Sequence, residues 1–90
     1  MSRTIITVVG KDTVGIIAKV CTYLADHNIN ILDITQTIVD GFFNMMMVTD
    51  MNQATAPAET ITDELSALGE QMGLSIRCMK EEIFQNMHRI

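Results

Sequence analysis

Between Arg3 and Lys80 the apolar residues switch repeatedly between a spacing that suits strands and one that suits helices, and the order of the switches leaves few folds open. Arg3 to Val9 is rich in β-branched residues and ends at Gly10, which predicts a strand. From Gly15 to Asn28, residues Ile16, Ile17, Val20, Cys21 and Leu24 recur at helical spacing, while Lys19, Thr22 and Asp26 fall elsewhere. Asn28 tolerates positive φ and suits the helix end. Ile31 to Asp40 predicts a second strand, Asp40-Gly41 a tight hairpin turn, and Phe42 to Asp50 the returning strand. Asn52 to Pro57 is a polar loop, and Pro57 fits the first turn of a helix that runs to Met72. Ile61, Leu65, Leu68 and Met72 share one face of that helix, and Gly73 stops it. Leu74 to Lys80 alternates as a last strand, with Leu74, Ile76 and Cys78 on one side.

This βαββαβ order predicts an α+β, ferredoxin-like sandwich. A four-stranded antiparallel sheet carries both helices on one face, with strand order 4-1-3-2 or, read from the other edge, 2-3-1-4. Ninety residues make one domain, with a core over residues 1–80 and a C-terminal tail over 81–90. In that tail Ile83, Phe84, Met87 and Ile90 fall where a short helix would gather an apolar stripe. Strands one and three also hold adjacent apolar residues, Ile5-Ile6, Val8-Val9, Phe42-Phe43 and Met45-Met46-Met47-Val48. A sheet with one wet face should alternate more cleanly, so both faces are expected to be partly buried. The second face then lies under the tail or in an interface with another copy of the chain.

The composition removes several function classes. A net charge of −5, with six Lys and Arg scattered singly, argues against nucleic acid. No apolar run reaches the length of a bilayer, and Met1-Ser2-Arg3 leads straight into a strand, so a cytoplasmic location is expected, with no membrane partner. Cys21 and Cys78 lie on different elements and are expected to stay reduced. His27 and His88 have no serine or cysteine nucleophile in an activating context, and His27 suits a surface site at a helix C-terminus. The first loop lacks the cysteine pair that would hold a soft metal and the arginine that would hold a phosphate. Met45, Met46 and Met47 point to alternate faces of a strand and serve as filler of core and interface. Phe42 and Phe43 lack the basic surround of an RNA-stacking sheet, and Asp63-Glu64 and Glu81-Glu82 read as solvated acids. No acid, base and nucleophile converge, so the chain is expected to be no enzyme and to carry no cofactor or metal.

What remains is the loop Gly10-Lys11-Asp12-Thr13-Val14-Gly15-Ile16, which joins the first strand to the first helix. A glycine loop opening a helix exposes backbone N–H groups that have no partner inside the helix and can hold a small anionic ligand. Asp12 lies close enough to cap that helix or to meet the ammonium of a ligand.

Asp12-Thr13-Val14-Gly15-Ile16, a helix, and then Asn28-Ile29-Asn30-Ile31 resemble the ACT domain, a regulatory ligand-binding module, over nearly the whole chain to about Lys80. Its usual loop reads Asp-Arg-Pro-Gly-Leu or Asn-Arg-Pro-Gly-Val, and its second strand often opens Gly-Val-Asn-Ile. The tail, Glu82-Ile83-Phe84 with Met87-His88-Arg89-Ile90, is similar to those of small stand-alone bacterial members. More distantly the chain resembles the ACT regulators of glycine cleavage. The resemblance implies copies paired side by side, joining sheets, with an amino acid bound at the seam. Asp12 would take the polar position of the loop, Gly15 and Ile16 would offer N–H groups, and Asn30 would supply an amide to the neighbouring copy. The candidate ligand-binding set is Gly10, Lys11, Asp12, Val14, Gly15, Ile16 and Asn30. Val14 stands where proline is usual, and Gly10 where some amino-acid-binding members carry histidine. The function expected on this basis is a non-enzymatic homodimeric sensor of an amino acid. The alternative is an adaptor that binds a partner protein through Phe42, Met46 and the tail, without a metabolite.

Overall fold

The computed structural model describes residues 3–87, so the expectations for His88 and Ile90 lie outside the described residues. Strand β1 (Arg3–Lys11) leads into helix α1 (Ile16–Asp26). The hairpin of β2 (Asn30–Val39) and β3 (Phe42–Asp50) follows, then α2 (Ala58–Met72), β4 (Leu74–Lys80) and a short α3 (Glu81–Met87). The four strands lie in the order β2-β3-β1-β4 and every neighbouring pair is antiparallel. This is the ferredoxin-like βαββαβ sheet expected from the sequence.

The turn chemistry accounts for the element ends. Asn28 sits at φ 58, and Asp40 and Gly41 at φ 52 and 81, the pair of positive angles that a two-residue hairpin turn requires. Pro57 is the N-cap of α2, and Gly73 closes that helix at φ 72. One boundary differs from the sequence reading: β1 runs on through Gly10 to Lys11, where Gly10 pairs with both Phe43 and Leu74. A Cβ at Gly10 would lie 2.6 Å from Leu74 Cδ2 and 3.0 Å from the Gly73 carbonyl oxygen, so glycine here serves close packing within a strand.

The core lies between the sheet and the helix layer. Ile16, Val20 and Leu24 of α1 and Ile61 and Leu65 of α2 pack on Ile6, Val8, Phe43, Met45, Met47, Leu74 and Ile76. The one fully buried threonine of β3, Thr49, is satisfied by donating to the Thr4 carbonyl at 2.8 Å. The methionine run splits as its strand period demands: Met45 and Met47 are buried, whereas Met46 is exposed on the opposite face.

That opposite face is covered only in part. α3 packs on β1 and β4, where Ile5 is buried. Of the expected tail stripe, Phe84 is half-buried, whereas Ile83 and Met87 are exposed. Val9, Phe42 and Met46 remain open on the same face. No helix among the described residues is long and apolar enough to cross a membrane.

Candidate functional site

The position of the first loop follows from the two turns beside it. β1 ends at Lys11, which pairs with Phe42, and Phe42 in turn pairs with Val39. The loop therefore emerges beside the hairpin turn, and the Asp12 N–H donates to the Gly41 carbonyl at 2.9 Å. Thr13 Oγ1 donates back to the Lys11 carbonyl at 3.1 Å. Gly15 is the N-cap of α1 at φ 90, a left-handed conformation that glycine adopts without steric cost.

No side chain caps the helix and its first turn holds no acidic residue. The first helical bond runs from the Lys19 N–H to the Gly15 carbonyl, 3.0 Å. By helix geometry the N–H groups of Ile16, Ile17 and Ala18 precede it without an intrahelical acceptor. Asp12 does not cap the helix: no side-chain hydrogen bond closes its start, and the Asp12 N–H is tied to the hairpin.

These groups open into a concavity of about 290 Å³ lined by Asp12, Thr13, Gly15, Ile16, Ile17 and Ala18 on one side and Gln36, Ile38 and Phe43 on the other. Of the sequence-derived set, Asp12, Gly15 and Ile16 thus come together. Gly10 and Lys11 lie in the strand that leads to the loop, and Val14 is 99% exposed beside it. Asn30 is elsewhere, in a shallow basin with Ala25, Asn28, Ile29, Asp50 and Gln53. At about 3.3 Å per residue it lies roughly 26 Å along β2 from Ile38.

Gln36 and Ile38 were not singled out from the sequence, although the hairpin could have found them. Counting back from Asp40-Gly41, alternate residues of β2 fall on the side of the sheet that carries the helices. Ile38 pairs with buried Phe43 and Gln36 with buried Met45. Yet Ile38 is 56% exposed on β2, the edge strand of the sheet.

A second polar group joins the helices. The Tyr23 hydroxyl donates to Glu64 Oε1 at 2.5 Å, and His27 Nε2 lies 3.4 Å from the same oxygen. The His27 ring stacks on Tyr23 with centroids 4.0 Å apart, and its Nδ1 donates to the Tyr23 carbonyl at 2.8 Å. Burial, and then the bond to Glu64 and its charge, push the Tyr23 phenol above its ordinary value. His27 follows α1 directly, the terminal position expected of it, and its partners make it a clasp between helices. Cys21 and Cys78 are free, and burial raises the Cys78 thiol, which disfavours the reactive thiolate.

Comparison with known proteins agrees with this architecture. The family model of the ACT domain matches residues 2–79. A UPF0237 protein of Bifidobacterium longum is 58% identical over 90 residues, the full length of both chains. The structure of an ACT domain protein from Streptococcus pneumoniae superposes with a TM-score of 0.80 at 36% identity, covering 93% of this chain and 94% of that one. A protein described as a glycine cleavage system transcriptional repressor shares the fold at a TM-score of 0.74 and 23% identity, over 88% of this chain and 45% of its own.

Proposed function

The chain belongs to the ACT-domain family, and from that premise we propose that it is a non-enzymatic regulatory module that binds a free amino acid at a seam between two copies. The observation that carries this reading is the uncapped start of α1, which opens into a concavity whose one carboxylate among the described residues is Asp12. A zwitterion matches that arrangement, with its carboxylate at the free N–H groups and its ammonium at Asp12.

The second copy follows from β2. This edge strand exposes Leu32, Ile34, Ile38 and Val39. Two-fold antiparallel pairing of β2 with its equivalent runs the partner strand backwards. The Asn30 end of one copy then comes beside the Gln36–Ile38 end of the other, and each site gains an amide from its neighbour. Ligand bound across the seam stabilises the assembled state by linkage.

The test is titration of the purified chain with amino acids, read by thermal shift and by sedimentation. Ligand at about a hundred times its dissociation constant adds roughly 2.7 kcal/mol to stability. Asp12→Asn and Asn30→Ala are expected to weaken binding tenfold or more while leaving the unliganded midpoint within the small range of exposed substitutions. Wild-type affinity in Asn30→Ala removes the shared site. The open apolar residues Val9, Phe42 and Met46 favour the adaptor as a second reading. No shift with any amino acid from a well-folded chain would decide for it.

A further inference from the structure

We infer that the amino acid taken by this concavity carries an uncharged aliphatic side chain, and that Ile17 and Ile38 select it; the inference rests on the regulatory reading above. Among the described residues Asp12 is the only charged side chain in the lining, and Thr13 and Gln36 are the only other polar ones. Once a zwitterion's ammonium has taken Asp12 and its carboxylate the N–H groups of α1, the ligand's own side chain is left facing apolar surface. That surface is Ile17 and Ile38, 39% and 56% exposed, over a floor made by buried Phe43. Ile17 of α1 and Ile38 of the edge strand thus leave two large aliphatic side chains exposed on one concavity, which is unfilled packing surface.

Charge excludes the alternatives. A ligand with an acidic side chain would bring a second carboxylate toward Asp12, and among the described residues no Lys or Arg lines the concavity. A basic side chain would lie against isoleucine while the only counter-charge is already engaged, and a charge moved out of water without a partner is strongly disfavoured. Glycine and serine would leave both walls wet. Each methylene buried against them improves affinity about fourfold. A volume of about 290 Å³ lies at the lower limit of small-molecule sites, which suits one amino acid of leucine or isoleucine size.

The experiment is calorimetric titration of the full chain with glycine, serine, valine, leucine, isoleucine, phenylalanine, aspartate and lysine, repeated on Ile38→Ser and Ile38→Leu. A branched aliphatic amino acid is expected to bind at least tenfold tighter than glycine, with a more negative heat-capacity change. Ile38→Ser should collapse that ratio to within about threefold, because a ligand side chain between Ile17 and a serine loses the wall opposite Ile17 while the zwitterion contacts stay. Ile38→Leu should keep it. Ile38 is more than half exposed, so neither variant should unfold the chain. Tightest binding by glycine, serine, phenylalanine or a charged amino acid overturns this inference and leaves the regulatory reading standing. An unchanged ratio in Ile38→Ser overturns the role of Ile38. Binding by none of the eight overturns this inference, and binding by no amino acid at all overturns the regulatory reading with it.

Discussion

Gly10→Ala tests whether the strand that leads into the site is as tightly seated as its geometry indicates. The added Cβ would lie 2.6 Å from Leu74 Cδ2, 3.0 Å from the Gly73 carbonyl oxygen and 3.2 Å from Leu74 Cα. Two of those three atoms are backbone. The third belongs to a side chain that is 6% exposed and so cannot swing into water. Overpacking of this kind costs about 1–3 kcal/mol. Alanine recovers about 0.5–1 kcal/mol over glycine in a strand interior. The contact below 3.0 Å places the cost in its upper range, so the net loss should be about 1–2 kcal/mol. For a chain of this length that lowers the thermal midpoint by roughly 5–15 °C. Urea melts should show a lower midpoint with an unchanged slope, since the same surface is exposed on unfolding. In a Leu74→Val background the clashing methyl is withdrawn, and the same substitution should cost measurably less. A Gly10→Ala variant as stable as the parent would refute the reasoning. The result also bears on binding: a histidine, which some ACT domains carry at this position, has less room here than alanine. The proposed site would therefore hold a ligand without a side chain from that residue.

Tyr23→Phe removes the hydroxyl bond to Glu64 and should cost about 0.5–1.5 kcal/mol near neutrality. Because the folded phenol titrates above its ordinary 10.0, the unfolded chain loses that proton first. The contribution is therefore complete below pH 10 and fades as pH rises beyond it. Melts of both proteins from neutral to alkaline pH should show the gap narrowing above pH 10, and a constant gap would dismiss the assignment. Deleting residues 81–90 uncovers Ile5, 4% exposed beneath α3, and should cost about 1.5–3 kcal/mol in a urea melt. The Arg3–Glu81 pair at 3.6 Å is too exposed to add much to that figure, so a null result would mean that α3 contributes no burial.

What could be read from the sequence was what is local in the chain. Asn28, Asp40-Gly41 and Gly73 mark ends because each must adopt positive φ, whatever the rest of the molecule does. The helical and strand spacings identified the core face, since a period survives without knowledge of partners. The misses share one cause. Gly10 reads as a strand terminator until Leu74, from a distant strand, is packed on it. Asp12 reads as a cap or as a partner for a ligand's ammonium, and only the folded loop, with its N–H on Gly41 and no side-chain cap on α1, removes the first. Tyr23 meets Glu64 across a sequence separation of 41. Ile38 alternates like any half-buried residue, and only the strand order, which leaves β2 outermost, makes it a wall of the site. The bulge between Ile31 and Asp33 is likewise a property of pairing with β3 and left no mark in the residue types.

The edge position of β2 ties these readings together. A long edge strand with exposed Leu32, Ile34, Ile38 and Val39 presents unpaired main-chain groups beside apolar side chains, a combination that invites another strand. The protection visible along it is modest: a bulge near its start and the Asp33 carboxylate, which accepts the Ile34 N–H at 2.9 Å. A charge of −5 on each copy opposes association, so an assembly held by this edge alone would be weak. A zwitterion at the seam changes that balance without adding net charge. In the proposed assembly it occupies the N–H groups at the start of α1 and covers Ile17 and Ile38 while the neighbouring strand supplies Asn30. Under the proposed pairing, ligand affinity and association are one free energy viewed from two sides. A chain this small, with little core to spare, can then respond to a metabolite by changing its partner state and not its own fold.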